Sequence, residues 1–363
     1  MEKDSAEERA TLLDLSAPSH ELLGSGGGSP VPPAQRVYFY APGEWEEFIL
    51  EWATALDKSY VQVKRIGGAG DQGIDVAGLL TDRGFEGDWD CYQAKHYADA
   101  LTPSTAIPEI IKLFGHVTVG DYTMPRRYFL VAPKGCGPTL NRLLSHPSEL
   151  KEKVLAALDD GSPATRELKP EWIAAIRGLV EQTDFKMFVA VQLIELIDGH
   201  ARTNYHAFRF GTSLPKRDAP GLPPAELEAH ETRYVTQLVD VYSESDPKST
   251  LTPMNIAEDS VHGAHFRRQR QAFYSAEALR VYARDSVPPG TFELLLDDVH
   301  AGVVEIAEVS HASGRDRLTA VLTHATQLQL DSHRLVSVTG PEDRKGLCHQ
   351  LANDDRLTWV SKK

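Results

Sequence analysis

Two segments, Gly70-Asp71-Gln72-Gly73-Ile74-Asp75-Val76 and Tyr92-Gln93-Ala94-Lys95, decide the fold of the first half of the chain. We expect them to lie on two neighbouring strands. Because strand side chains alternate between faces, Asp75 shares a face with Ala77 and Leu79. By the same rule Cys91, Gln93 and Lys95 share a face of the second strand.

If those two faces coincide, a carboxylate, an amide oxygen and an ammonium group converge in a small volume. A carboxylate binds Mg²⁺ through oxygen. The ion then polarises a phosphate and activates water, while a lysine places positive charge where negative charge develops. The pattern therefore points to the cleavage of a phosphodiester.

The arrangement resembles the restriction-endonuclease-like superfamily, whose motif is PD…(D/E)xK. It is most similar to the Mrr-like branch, in which the second half of the motif is QxK and the first is GxGDxGID-like. The matching residues here are Gly68 to Asp75 and Gln93-Ala94-Lys95. The alternative is an ordinary hairpin with a surface salt bridge, but the glycine-flanked motif and the QAK together are fairly specific.

The resemblance implies a role for each site residue. Asp75 would bind Mg²⁺ or Mn²⁺, and Gln93 would be a weaker, neutral ligand in place of the usual acid. The carbonyl of Ala94 would complete the coordination, and Lys95 would stabilise the attacking hydroxide. In the family a helix before the first strand supplies a glutamate, and this implies Glu46.

The helix that carries Glu46 is predicted over Glu44 to Leu56, where Trp45, Phe48, Ile49 and Trp52 form an apolar stripe. Glu47 is the alternative metal-site glutamate. A third possibility is that both acids are solvated at the helix start, where the helix dipole favours negative charge. Asp71 is a weaker candidate than Asp75 for positioning the metal or the loop.

The chain has 363 residues, so two domains are expected. We predict a flexible tail over 1–34, an α/β restriction-endonuclease-like domain with a mixed central sheet flanked by helices over 35–215, and a mainly α-helical assembly domain over 216–363. The prolines and glycines of 211–224 predict a linker. In the first domain, the apolar stretch Phe185 to Ile197 is predicted to be a buried helix.

Composition is that of a soluble globular protein, with 41% hydrophobic and 25% charged residues. No apolar run approaches the ~20 residues that cross a bilayer. Three widely spaced cysteines exclude a disulfide framework and fit the cytoplasm.

A net charge of −14 opposes binding to DNA unless local basic clusters or a partner protein compensate. Candidate clusters are Lys64-Arg65, Arg126-Arg127 and Arg267-Arg268 with Arg270. Lys134, at the end of a predicted strand, is a candidate phosphate contact, although a solvated turn lysine is the more common case.

The last hundred or so residues resemble the C-terminal domain of ABC-three-component systems, the Lamassu-type antiphage defences. The matching segments are Gln271 to Arg280 followed by Asp285, Gly314-Arg315, and Gly346 to Asn353 followed by Trp359. In that family a nuclease subunit is held by an SMC/Rad50-like ATPase and a small third protein. Cys348-His349 lacks a second pair at metal-ligand spacing, so a structural role is expected.

Together the two resemblances imply a metal-dependent endonuclease that cuts double-stranded DNA. It would be kept inactive until an SMC-like ATPase senses foreign DNA, and it would self-associate on activation. Two alternatives are a non-catalytic DNA-binding or adaptor subunit of the same complex and a stand-alone restriction endonuclease.

Overall fold

The computed structural model describes residues 31–56, 60–66, 73–159, 165, 169–244 and 250–360. Residues 1–30 of the predicted tail, the glycine-rich segment before the first site strand and Asp71 lie outside the described residues. The chain divides into two compact units, with the described residues of the first ending at His206 and those of the second starting at Ala207.

The first unit has five strands and seven α-helices within the described residues, and an eighth α-helix starts at its last residue. In chain order they are α1 Pro33–Arg36, α2 Pro42–Thr54, β1 Gln62–Arg65, β2 Val76–Leu79, β3 Trp89–Ala94, α3 Pro103–Val119, β4 Arg127–Val131, α4 Pro138–Ser145, α5 Pro147–Asp159, α6 Pro170–Gln182, β5 Phe188–Val191, α7 Leu193–His200 and α8 His206–Phe210, the last of which runs across the division between the units. A 3-10 turn, Val37–Phe39, connects α1 to α2.

The strands form one mixed sheet in the order β1-β2-β3-β4-β5. The first three strands are antiparallel, and β4 and β5 continue parallel to β3. Since β2 runs opposite to β3 and β4, its start lies at the same sheet edge as their ends. Asp75, Lys95 and the turn after Val131 therefore lie together at this end of the strands, which is called the sheet edge below.

Helices cover both faces of this sheet. Helix α3, with α5 and α6, packs on the face that carries Ala77, Cys91 and Leu130. Helix α2 packs on the other face, where Trp52 meets Tyr92 edge to face. Burial on both sides excludes water from the central strand β3, all six residues of which are buried.

The prediction of one buried helix over Phe185 to Ile197 is wrong. The stretch starts with a 3-10 turn, Phe185–Met187, and continues as the strand β5, which Gln192 separates from α7. A parallel strand covered on both faces is continuously apolar, as a buried helix can be, so hydrophobicity alone does not separate the two. Ile194, expected in the core, is 63% exposed on α7.

The second unit is mainly helical. Its helices are α9 Thr232–Glu244, α10 Gly263–Ser286, α11 Thr291–Glu308, α12 Gly314–Gln327 and α13 Pro341–Asn353. They enclose one apolar core, and α13 packs along α10. No helix among the residues that the structure describes is both long and apolar enough to cross a bilayer.

The segment predicted to be a linker lies along this helical unit. Leu214 packs against its core, and the Tyr282 hydroxyl donates to the Pro215 carbonyl at 2.6 Å. The guanidinium of Arg217 donates two hydrogen bonds to the Asp343 carboxylate, at 2.8 and 2.9 Å. The segment has no regular secondary structure, as expected, but it is anchored to α10 and α13.

Candidate functional site

The faces of the two site strands coincide, which confirms the expectation from alternation. Ala77 lies opposite Cys91 in the β2–β3 register. Asp75 lies just before β2, and its backbone carbonyl accepts a hydrogen bond from the Ile66 amide at 2.9 Å, which extends the β1–β2 ladder by one residue. The Asp75 side chain therefore shares the α3 face of the sheet with Gln93.

Asp75 is held by donors from the neighbouring strand. Its Oδ2 atom accepts from Gln93 Nε2 at 2.5 Å and from the Ala94 amide at 2.7 Å. Only 5% of the residue is exposed. These two donors fix the position of the buried carboxylate oxygen against β3.

The amide of Gln93 is fully buried and oriented from both sides. Its Nε2 faces Asp75, while its Oε1 accepts from the Tyr128 hydroxyl at 3.0 Å. Burial raises the pKa of Tyr128 well above its usual range, so the hydroxyl stays protonated. A hydroxyl both donates and accepts, so Tyr128 can also support the opposite amide orientation, in which Oε1 faces Asp75.

Lys95 follows directly on β3 and is partly exposed, with 21% of its side chain accessible. Its Nζ lies 3.9 Å from Asp75 Oδ2 and 3.4 Å from Glu109 Oε2. Burial opposes the charged form, but the charges of Asp75 and Glu109 outweigh it and raise the pKa of Lys95. Lys95 is therefore a fixed positive charge between two carboxylates at the sheet edge.

Glu109 is a site residue that our sequence reasoning missed. It lies on α3, and its Oε2 atom is buried and accepts no hydrogen bond among the described contacts, although the Lys95 ammonium is within ion-pair distance. The sequence does contain a pattern that marks Glu109. Glu109 stands at helical spacing from Ala106 and Leu113, which makes it an acid within an apolar stripe.

Glu46 is placed elsewhere. Its carboxylate accepts from Arg65 Nε at 3.0 Å. Arg65 is the register partner of Val76, and directly opposed side chains share a face. The contact therefore lies on the α2 face, across the sheet from the Asp75 carboxylate. A metal-binding role for Glu46, or for Glu47 beside it, stays a prediction that this pairing does not favour.

The donor chemistry at the sheet edge suits a hard cation. Asp75 and Glu109 supply two carboxylates that flank one ammonium group, and the buried Oε2 of Glu109 has the Lys95 ion pair but no hydrogen bond among the contacts of the described residues. Within the described residues no three His, Cys, Asp or Glu side chains group at ligand distance. Among the described residues, a further protein ligand here would be neutral, such as the Gln93 amide or a backbone carbonyl.

The three predicted basic clusters are partly neutralised by internal ion pairs. Arg65 binds Glu46, as described above. Arg126 binds Asp90, with Nη2 and Oδ2 2.8 Å apart. Arg270 is buried in the second unit and binds Glu231 at 2.6 Å. One arginine of each cluster therefore stabilises the fold, and the positive charge available for a polyanion is smaller than the sequence suggests.

The segments that resemble the ABC-three-component domain meet in the core of the second unit. Gly346 on α13 packs so closely on α10 that an added Cβ would lie 1.9 Å from the Ala272 carbonyl oxygen. His349 bonds Gln269 Oε1 at 3.0 Å and meets Trp359 edge to face. Burial lowers the pKa of His349 to about 3 and raises that of Cys348 to about 12.

The comparison with protein families agrees with this part of the structure. Residues 231–359 match the model of C-terminal domain 6 of the ABC-three component (ABC-3C) systems. The match supports the association of this chain with ABC-three-component systems, which are multi-component defence systems. No curated protein and no solved structure gives a significant match to the chain.

Proposed function

We propose that this chain is the nuclease subunit of an ABC-three-component defence system, a metal-dependent endonuclease of the PD-(D/E)xK type that cuts double-stranded DNA. The observation that carries the proposal is the convergence of Asp75, Gln93, Lys95 and Glu109 at one edge of a mixed sheet. The family match of residues 231–359 supports the cellular context.

Asp75 and Glu109 would hold the divalent cation, Mg²⁺ or Mn²⁺, with Gln93 or the Ala94 carbonyl as neutral ligands. Bound there, the ion would supply Lewis acidity toward a phosphate oxygen and a water molecule. Lys95 contributes a permanent positive charge near the same point, where it stabilises the negative charge of the transition state. Tyr128 holds the Gln93 amide in place from the side away from Asp75.

Regulation follows from the weak ligand set. An amide in place of a carboxylate removes one negative charge, so the free chain should bind Mg²⁺ loosely. The net charge of −14 also opposes binding of DNA by the chain alone. Both features fit an effector that becomes active only when an SMC/Rad50-like ATPase and a small third subunit bring DNA and promote self-association.

The test is degradation of plasmid DNA by the purified full-length chain with Mg²⁺ or Mn²⁺, alone and with its ATPase partner. Asp75→Ala and Lys95→Ala should each abolish cleavage. The matched controls are Asp82→Ala and Lys153→Ala, which remove exposed residues of the same types in the first unit. Both controls should cut at the rate of the parent protein.

Two results would count against the proposal. Cleavage that survives in Asp75→Ala would place the chemistry elsewhere. Absence of cleavage by the parent, even with the ATPase and DNA present, would favour a non-catalytic adaptor. Full activity of the free chain at micromolar Mg²⁺ would instead contradict only the proposed regulation.

A further inference from the structure

Beside the candidate site the first unit presents exposed aromatic side chains. Phe39 is 83% exposed, Tyr97 44% and Tyr38 41%. Together with Lys134 they are called here the aromatic rim. Large exposed aromatic groups that cluster on a folded surface mark an interaction site more often than chance exposure does.

The backbone that carries the rim is firmly anchored. On either side of Tyr38 and Phe39, Val37 is fully buried and Tyr40 packs edge to face on Phe48. The Val37 carbonyl is bonded to His96 Nε2 at 2.9 Å. Phe39 is therefore exposed on a short 3-10 turn whose neighbours are fixed to the fold.

The anchor connects the rim directly to the candidate site. His96 follows Lys95 and Tyr97 follows His96, so one short segment carries the site lysine, the anchor and a rim aromatic. On the other side, the Lys95 amide donates to the Val131 carbonyl at 2.8 Å, next to the turn that bears Lys134. The rim thus borders the sheet edge at which Asp75 and Lys95 lie.

Charge and geometry decide which partner fits. Lys134 Nζ lies 4.8 Å from the centre of the Tyr38 ring, a cation–π contact that places a positive charge on the rim. Exposed aromatic rings with interspersed cations suit nucleic acid, because rings stack on unpaired bases and cations meet phosphates. Perfectly stacked duplex presents no free base face to such a ring.

We propose that the aromatic rim binds unstacked bases of DNA, with Phe39 as the principal stacking residue and Lys134 as a phosphate contact. The strand that reaches Lys95 is thereby held at a locally opened part of the duplex. The inference rests on the proposed function for its position in a cleavage reaction, but binding by the rim requires neither a metal ion nor cleavage.

The experiment measures binding of the full-length chain to a fluorescein-labelled duplex and to the same duplex with a central unpaired stretch, by anisotropy in EDTA. The parent should prefer the unpaired DNA. Phe39→Ala should bind it about tenfold more weakly and lose the preference, since one stacked base contributes roughly that factor. Phe39→Trp, which keeps a stacking surface, should retain the preference.

Trp172→Ala is the matched control, because it removes another exposed aromatic side chain, on α6. It should bind both DNAs as the parent does, and Lys134→Ala should weaken binding to both. Circular dichroism of each variant checks that the fold is kept.

The inference is overturned if Phe39→Ala and the parent bind both DNAs equally, if the parent binds neither DNA, or if Trp172→Ala loses as much as Phe39→Ala. It is also overturned if Phe39→Ala binds both DNAs as the parent does but no longer binds the ATPase partner, because the rim would then be a protein interface. If Phe39-dependent binding is present but metal-dependent cleavage never occurs, the rim stands and the proposed nuclease function fails.

Discussion

The residues of the candidate site meet through contacts of different range: Gln93 bonds Asp75 across two neighbouring strands, whereas Glu109 reaches Lys95 from helix α3. The period of two in strands was sufficient to bring Asp75 to Gln93, because the geometry of a hairpin is local. Glu109 was not found, because it comes from a helix that joins the site only after the sheet and α3 have packed together. Glu46 was expected from a family pattern, and the contact that places it with Arg65 is tertiary.

Glu109→Gln tests the contribution of the added carboxylate. The substitution keeps the size of the side chain but removes a negative charge 3.4 Å from Lys95 Nζ and a hard oxygen ligand. We expect cleavage to fall about 10- to 100-fold and the Mg²⁺ concentration for half-maximal cleavage to rise. The measurement is the initial rate of plasmid cleavage over a Mg²⁺ titration with the ATPase partner present.

The control for this prediction is Glu152→Gln, which neutralises an exposed acid on α5. It should leave both the rate and the Mg²⁺ requirement unchanged. If Glu109→Gln cuts as fast as the parent at every Mg²⁺ concentration, Glu109 is only a counter-ion of Lys95.

At the scale of elements, the sequence predicted amphipathic helices better than it predicted buried strands. The apolar stripe of α2 predicted a helix because polar residues, chiefly glutamates, separate its apolar residues in the sequence, even though every residue from Phe48 to Ala53 is buried in the structure. The stretch that contains β5 and α7 has no such contrast in its first half, and the strand has only four residues. Its assignment depends on pairing with β4, which the local sequence does not encode.

The close contact of α10 and α13 predicts a steep penalty at Gly346. A Cβ there would meet the backbone oxygen of Ala272 at 1.9 Å, so the two helices must separate. We expect Gly346→Ala to destabilise the second unit by about 3 kcal/mol, as overpacking of a core does at its upper range. The measurement is the urea midpoint of the chain, followed by hydrogen exchange in peptides from α13.

Gly178→Ala is the matched control, because Gly178 also lies inside a helix, α6, but has no atom within 4 Å of an added Cβ. It should be neutral or should stabilise the first unit by up to about 1 kcal/mol, since alanine favours helix. Equal effects of the two substitutions would contradict the packing argument.

A second prediction at this scale concerns the extended segment before α9. Arg217 and Asp343 are an ion pair with side chains that are 10% and 5% exposed, and Arg217 also donates to the Ser275 carbonyl at 2.6 Å. Removing one partner leaves a buried charge, which costs about 3–5 kcal/mol. Arg217→Ala should therefore release the segment and make Lys216 accessible to trypsin.

Arg284→Ala serves as the control for that experiment, since Arg284 pairs with Asp285 on an exposed surface. Its tryptic pattern should keep the slow cleavage of the parent at Lys216. The prediction fails if the parent is already cut there as fast as Arg217→Ala, because the segment would then be unanchored in solution.

For the whole molecule, the chain length predicted two domains and the net charge predicted little intrinsic affinity for DNA, but neither indicates which charged side chains form internal ion pairs. Arg65, Arg126 and Arg270 all stand in basic clusters of the sequence, and each is used by a carboxylate within its own unit. The partners of a charge depend on the tertiary fold. A site for DNA on this chain must therefore draw on few cations together with other contacts, such as stacking.

Partly or fully buried histidines in both units are expected to make the stability of the protein sensitive to acid. Burial lowers the pKa of His206 and of His265 to about 4 and that of His349 to about 3. An unfolded histidine titrates near 6.5, so between that pH and the folded pKa the unfolded chain binds protons that the folded chain does not. Stability is therefore complete above about pH 6.5 and falls as the pH drops.

The decrease in the free energy of unfolding that is due to His349 alone should reach about 2 kcal/mol at about pH 5, because the unfolded state takes up a proton there. His349→Gln keeps a donor toward Gln269 but does not titrate. It should reduce the acid-induced loss of stability by about that amount, measured as denaturant-dependent hydrogen exchange of α13 near pH 7.5 and pH 5. His146→Gln, at an exposed position of the first unit, should leave the acid-induced loss unchanged. An equal loss in the parent and in His349→Gln would mean that His349 becomes protonated within the folded state, with Gln269 or its surroundings rearranging to accept the charge.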